Sequence, residues 1–146
     1  DPRIDATYWR IGGGVGRGKT YVRADVDRLG SNDGRYAFQT PLGTNHLFQG
    51  WADQFLTTPA EGIRDRYVSA GTTWHDVQIH VEVHDFRSDV RGIRYGSEVD
   101  LGVTHAVTTQ LTGKLEVARF REGDVLPGAS RKPDTTRVWL TAVYQW

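Results

Sequence analysis

A glycine-rich stretch near the start of the chain fits the phosphate-binding loop pattern G-x-x-x-x-G-K-[ST]. It runs from Gly13 to Thr20 and places Lys19 in the lysine position. Such a loop binds phosphates when a buried strand precedes it and a helix follows it, because the first amides of the helix face the phosphates. The residues after Thr20 alternate as a strand instead. We therefore interpret the glycines as strand residues that relieve crowding or permit bending.

Three side chains with metal-ligand chemistry, His80, Glu82 and His84, follow one another at every second position. Residues two apart on a strand lie about 6.5–7 Å apart, so neighbours share an ion only from a favourable angle. His80 and His84 are about twice as far apart and cannot share an ion unaided. The local spacing therefore predicts polar, interior-facing side chains, with no metal and no cofactor.

Two acidic pairs have the same spacing, Asp25 with Asp27 and Glu98 with Asp100. Either pair could serve acid–base chemistry if a neighbouring strand supplied a third group. Charged pairs on a solvated face are the commoner arrangement, and no serine or threonine lies in a nucleophile elbow. We therefore predict that the protein is not an enzyme.

These polar residues lie on segments that alternate between apolar and polar side chains, which is the period of a β-strand. In residues 77–84 the apolar side is Val77, Ile79, Val81 and Val83, and the polar side is Gln78, His80, Glu82 and His84. The pattern predicts about eight or nine strands, near residues 6–15, 19–29, 34–40, 46–52, 64–74, 76–87, 93–106, 108–121 and 136–146. Several reach the ~9–11 residues that a tilted strand needs to cross a bilayer.

We therefore predict one all-β domain over residues 1–146, an antiparallel up-and-down β-barrel or part of a larger one. Aromatic residues near the predicted strand ends suit the girdles of an outer-membrane barrel. They are Tyr8, Trp9, Trp74, Tyr95, Trp139, Tyr144 and Trp146. The alternative is that these aromatics form the core of a soluble sandwich. Residues 40–62 break the rhythm with prolines, glycines and aromatics, which indicates a packed loop or an inward fold.

Composition excludes several classes of protein. The 18 basic and 18 acidic residues give a net charge of zero, so the basic footprint of a nucleic-acid-binding protein is absent. No stretch approaches the ~18 consecutive apolar residues of a membrane-spanning helix. The chain has no cysteine, which removes disulfides and thiolate metal sites. It also has no methionine, even at position 1, which indicates a processed or trimmed product.

One long motif resembles a known family. Residues 40–56 read TPLGTNHLFQGWADQFL and are followed by Pro59 and Gly62. This stretch resembles the TPLxTxHxFxGWADxFL motif of alginate-export-like outer-membrane porins, and residues 84–89, 95–101 and 134–136 look similar to that family too. The resemblance covers roughly residues 20–146. It matches only the C-terminal portion of the family's barrels, because full members have more strands.

The resemblance implies a bacterial outer-membrane porin that passes small polar or anionic solutes by passive diffusion. Its partners would be the lipid bilayer and the barrel-assembly machinery, which would recognise the C-terminal strand ending at Trp146. The candidate pore-lining residues are Arg23, Asp25, Asp27, His80, Glu82, His84, Glu98 and Asp100. Two alternatives stay open. One is a small non-conducting membrane barrel, since eight strands enclose little free space; the other is a soluble β-barrel or sandwich that binds a ligand.

Overall fold

A computed structural model describes residues 5–40, 48–124 and 131–146 of the chain. The described residues form seven strands in one antiparallel sheet, ordered as they follow in the chain. They are β1 (Tyr8–Arg17), β2 (Thr20–Leu29), β3 (Ile63–Trp74), β4 (Val77–Arg87), β5 (Arg94–Ala106), β6 (Leu111–Glu122) and β7 (Thr135–Tyr144). The all-β, up-and-down prediction is therefore confirmed. The described part of the chain holds no helix with the length and apolar character to span a membrane.

The predicted number of strands was too high, because two expected strands between β2 and β3 do not form. The region predicted at 34–40 makes only an isolated bridge between Ser31 and Ala37. In the region predicted at 46–52, residues 46 and 47 lie outside the described residues. Gln49 and Gly50 there have φ values of 56° and 78°, which an extended strand does not tolerate. β1 and β7 are opposite edges of the described sheet, which does not close on itself.

The connections are short at one end of the sheet and long at the other. Residues 18–19 and 75–76 are two-residue turns, and Gly18 and His75 supply the positive φ that such tight hairpins require. Residues 107–110 complete the short end. The opposite end holds connections 30–62, 88–93 and 123–134. The glycine-rich phosphate-loop pattern therefore forms the β1–β2 hairpin, as predicted, with no helix after it.

One face of the sheet is mainly apolar and the other carries the charged rows. The apolar face is the more exposed of the two. The face that carries most of the valines and leucines of β2–β7 is open: Val99 is 49% exposed and Leu140 is 84% exposed. The face that carries the charged rows is covered over its acidic residues, with Asp65 and Asp100 at 0% exposure. Below, the first is called the apolar face and the second the polar face. In soluble proteins the burial is the reverse.

Residues 48–62, here called the covering segment, pack across the polar face. Phe55 of this segment lies against Phe86 and Phe120 of the sheet, with ring centroids 4.7 Å and 6.1 Å apart. Ala52 and Ala118 are buried in the same cluster. The prediction of a packed loop or an inward fold at residues 40–62 is confirmed as a packed loop for residues 48–62, and residues 41–47 lie outside the described part.

The predicted aromatic girdle divides between the two faces. Trp9, Trp74 and Tyr144 are exposed on the apolar face near the strand ends, and Trp146 is fully exposed beyond β7. The remaining three were wrongly assigned, because they point to the polar face. Tyr8 donates to Asp27, Tyr95 packs on Phe55, and Trp139 packs on the core. For Tyr95 the cause is a shift of register between β4 and β5 after Phe86, which turns its ring inward.

We expect Phe55→Ala to release the covering segment from the sheet. Removing a fully buried phenyl group costs about 3–5 kcal/mol, and Phe55 is the aromatic residue that joins the segment to Phe86 and Phe120. Limited proteolysis of the folded protein should show faster cleavage within residues 48–62. Leu56→Ala is the matched control, because the neighbouring Leu56 is 50% exposed. Equal protease resistance in both variants would show that other contacts hold the segment.

Candidate functional site

All eight residues predicted to line a pore lie on the polar face. The strand register places Asp25 and Asp27 opposite Tyr67 and Asp65 of β3. The same register continues through β4 and β5, so that the polar residues form adjacent rows. They belong to two groups: Arg23, Asp25 and Asp27 on β2, and His80, Glu82, His84, Glu98 and Asp100 on β4 and β5. Whether they line a pore stays a prediction.

The first group is an arginine–aspartate network. Arg23 donates two hydrogen bonds to Asp25, at 2.7 Å and 2.6 Å, in the bidentate geometry that suits a guanidinium. Arg10 of β1 lies 3.6 Å from Asp25 and 3.7 Å from Asp27, and it also donates to the hydroxyl of Tyr67. The Arg10 side chain therefore compensates two carboxylates that are buried under the network.

The second group is a continuous chain of polar contacts. The Tyr21 hydroxyl lies 2.6 Å from Nδ1 of His80, and Nε2 of His80 lies 2.9 Å from Glu82. The other Glu82 oxygen lies 3.2 Å from Nε2 of His84. Nδ1 of His84 lies 3.0 Å from both carboxylate oxygens of Asp65. This last contact fixes the orientation of the His84 ring and directs Nε2 toward Glu82.

Four members of this group occupy the corners of a rectangle on two neighbouring strands, here called the quartet (Glu82, His84, Glu98 and Asp100). Glu82 is directly opposite Asp100, and His84 is directly opposite Glu98. Nε2 of His84 is 3.7 Å from Oδ2 of Asp100. Two carboxylates directly opposite each other repel in an ordinary sheet. The quartet therefore needs positive charge, protons or hydrogen-bond donors from elsewhere.

The covering segment supplies donors to the quartet. The backbone N–H of Ala52 donates to Glu98 at 2.5 Å, and that of Trp51 donates to Asp100 at 3.3 Å. Gly50 makes this approach possible, because a Cβ at that position would lie 2.7 Å from the Glu98 carboxyl. The Trp51 ring stacks on His80, with centroids 5.8 Å apart. A turn of the covering segment thus closes over the acidic pair.

Two cavities in the described part of the chain lie near the polar residues, and they differ in the residues that line them. One of about 70 Å³ lies between the covering segment and the sheet, beside Arg10, Trp51, Asp65, Glu82 and His84. The other, of about 480 Å³, is an open groove lined mainly by apolar-face residues such as Val26, Val68 and Val83. The small cavity is the one next to the titratable groups, so we place the candidate site there.

Sequence reasoning missed several members of the site. Arg10, Asp65 and Tyr67 fall on the polar face, and the alternation in residues 8–17 and 63–74 contains their positions. That signal was weak, because Arg64 and Arg66 make the opposite side of β3 polar as well. The amides of Trp51 and Ala52 carry no sequence signal, since a backbone donor is defined by conformation alone.

A separate ion cluster ties the long connections together. Asp89 accepts two hydrogen bonds from Arg28, at 2.6 Å and 2.7 Å, and one each from Arg64 and the N–H of Ser31, both at 3.2 Å. Burial alone would raise the pKa of Asp89. The hydrogen bonds from Arg28 and Ser31 outweigh that effect, so the pKa lies below its usual value. The folded state therefore holds Asp89 as a carboxylate.

Comparisons with known proteins give no relative: no family model, curated protein or solved structure matches this chain.

We expect Asp89→Asn to destabilise the protein at pH 7 by about 1–2 kcal/mol, because it removes a charge-assisted, bidentate contact with Arg28. The depressed pKa fixes the sign of the pH dependence. The stabilisation is complete above the unfolded pKa of about 3.9 and is lost as the pH falls through the lower folded value. The free energies of unfolding of the variant and the parent, measured by urea titration, should therefore differ at pH 7 and differ much less below about pH 3.

Asp33→Asn is the control for this measurement. Asp33 is exposed at a turn with φ of 50°, a conformation that asparagine also adopts readily. It should change the free energy of unfolding little at either pH. A constant difference between Asp89→Asn and the parent from pH 7 to pH 2 would contradict the ionic explanation.

Proposed function

We propose that this chain forms part of a bacterial outer-membrane β-barrel that passes small polar or anionic solutes by diffusion. One observation carries the proposal: the apolar face is open and the charged face is covered. Strands that face lipid on one side and a lumen on the other alternate in this way. A row of exposed valines and leucines across six strands is unfavourable in water, whereas hydrocarbon gives it a suitable environment.

The apolar side chains of the apolar face form a band across the strands, here called the apolar belt. The position of this belt on each strand supports a tilted, barrel-like arrangement. Val22 of β2 and Val138 of β7 lie on the same hydrogen-bonded row. On β2 the belt extends from that row to Val26, toward the long connections. On β7 it extends from that row to Tyr144, toward the short turns. The belt therefore shifts by about one residue per strand. With ~3.3 Å per residue and ~4.8 Å between strands, a belt parallel to the membrane implies a tilt of about 35°, close to the ~35–45° of membrane barrels.

The connections and exposed aromatics support the same proposal. Outer-membrane barrels have short turns on the periplasmic side and longer loops outside, and this sheet has the same asymmetry. Trp9 is exposed toward the long-connection end, while Trp74 and Tyr144 are exposed toward the short-turn end. Amphipathic rings prefer the two membrane interfaces.

The proposed barrel needs more strands than the described sheet supplies. An open strand edge is not tolerated in hydrocarbon, because its backbone polar groups have no partners there. In the described sheet, β1 and β7 each have a neighbour on one side only. We propose that further strands pair with both edges. The resemblance of residues 40–56 to the alginate-export-like porins supports a larger barrel of that type.

In such a barrel the polar face would line the lumen, where rings of charged side chains select solutes. The covering segment would narrow this lumen, because it packs over the β4–β6 part of the polar face. The same packing favours one alternative, a barrel filled by its own residues that does not conduct. Conductance separates the two functions.

We expect Val81→Arg to lower the free energy of unfolding from lipid vesicles by about 2–4 kcal/mol, the cost of arginine on a lipid face near the bilayer centre. Val81 lies on the central row of the apolar face. Gln78→Arg is the control, because Gln78 is exposed on the opposite face of the same strand. Equal costs for both substitutions would contradict the assignment of the apolar face to lipid.

We expect the full-length protein to give stepwise conductance in planar bilayers. Arg23→Glu should shift the reversal potential in a salt gradient toward cation preference, because Arg23 is half-exposed on the polar face. Arg121→Glu makes the same change of charge on the opposite face and should shift the potential much less. If folded, membrane-inserted protein gives no conductance steps, the non-conducting barrel is correct.

A further inference from the structure

The quartet concentrates buried carboxyl groups around one imidazole. His84 contacts Asp65, Glu82 and Asp100, and Glu98 contacts Asp100. Glu98 and Asp100 are 1% and 0% exposed. Burying several carboxylates together is costly unless a cation or bound protons compensate them. Arg10 lies nearest to Asp25 and Asp27, so its positive charge compensates those two carboxylates before it compensates the quartet.

The quartet also contains buried oxygen atoms without hydrogen bonds. Among the described residues, Oε2 of Glu98, Oδ1 of Asp100 and Oε1 of the adjacent Gln49 have no hydrogen-bond donor. Buried polar atoms in native proteins are nearly always satisfied, so such atoms indicate a missing partner. That partner is either a proton shared between Glu98 and Asp100 or a bound cation.

The distances between the possible ligand atoms suit a cation. One ligand atom from each of Glu82, His84 and Asp100 lies within 4.8 Å of the other two. Nε2 of His84 is 3.2 Å from Glu82 and 3.7 Å from Asp100. Zinc bonds to nitrogen and oxygen of about 2.0–2.1 Å place neighbouring ligands about 3.3 Å apart in a tetrahedral site. Small side-chain shifts would complete that geometry.

The orientation of His84 matches that of a metal-binding histidine. Its Nδ1 lies 3.0 Å from the Asp65 carboxylate, and in the neutral tautomer in which Nδ1–H donates to Asp65 the Nε2 lone pair faces Glu82 and Asp100. Metal-bound histidines typically donate their other ring N–H to a carboxylate in this way. The small cavity beside Glu82 and His84 gives room for a water ligand.

We propose that Glu82, His84 and Asp100 bind one divalent transition-metal ion of the zinc class, with Asp65 as the positioning residue for His84. A mixed imidazole and carboxylate donor set suits zinc or cobalt better than calcium, which takes oxygen ligands. The ion would neutralise the carboxylates that also accept from Trp51 and Ala52, and so would hold the covering segment on the sheet. The site uses ligands from two strands, which the spacing along β4 alone does not reveal.

The test is metal binding by the full-length protein, folded in detergent and stripped with EDTA. We expect titration calorimetry with Zn²⁺ to give one saturable site per chain, and Co²⁺ to give the visible absorption bands of a low-coordinate site. Glu82→Gln and Asp100→Asn should each weaken the affinity at least tenfold. A tenfold excess of Ca²⁺ should not displace the bound Zn²⁺. The assay does not require conductance, so the site and the proposed transport function can fail separately.

The double variant His75→Ala with His105→Ala is the matched control, because both histidines are exposed and lie outside the quartet. It should bind Zn²⁺ like the parent protein. The absence of a saturable Zn²⁺ site in the folded parent would overturn the proposal and favour a shared proton. Zn²⁺ binding that persists in Glu82→Gln and disappears in the control would overturn it as well. The parent Co²⁺ spectrum tests the site even if a variant fails to fold.

Discussion

The structure depends on how a face full of carboxylates is satisfied without bulk water. Asp27, Asp65, Glu98 and Asp100 are all nearly inaccessible. Leaving such groups unpaired would cost more than a small sheet can offset. Each receives at least one specific partner: Arg10 and Tyr8 for Asp27, His84 for Asp65, and a backbone amide for one oxygen of Glu98 and one of Asp100. The covering segment therefore stabilises the sheet through hydrogen bonds to buried carboxylates as well as through apolar contacts.

The alternation of the strands converts this constraint into two opposite surfaces. A strand directs successive side chains to opposite faces, so placing Glu82 and His84 inward forces Val81 and Val83 outward. A one-residue slip would exchange the faces of every side chain at once. The register is continuous from β1 to β6 except at Phe86, so the separation of polar and apolar residues extends across the sheet. In the proposed barrel, this register determines which side chains face lipid and which face the lumen.

The sequence predicts the strands well where alternation is strong and poorly where conformation depends on distant contacts. All seven strands fall within predicted regions to within a few residues, because a period of two is a local signal. The predicted strand at 46–52 was wrong because Gln49 and Gly50 adopt positive φ where Ala52 packs on the sheet, a conformation that tertiary contacts determine. The predicted strand at 34–40 makes only a single bridge. Tyr95 was assigned to the wrong face because a register shift cannot be seen in one strand. The pairing of Glu82 with Asp100 likewise needs the alignment of two strands.

The anchoring of the covering segment bears on what the proposed pore can do. The segment is held at the quartet by Trp51 and Ala52, at the aromatic cluster by Phe55, and at β7 by the 2.7 Å contact between Asp53 and Arg137. Opening the lumen by moving it would break charged, apolar and backbone contacts together. A fixed constriction that selects solutes by width and charge therefore fits this sheet better than a mobile gate. In that case the charges that remain accessible on the polar face, among them Arg23, would dominate selectivity.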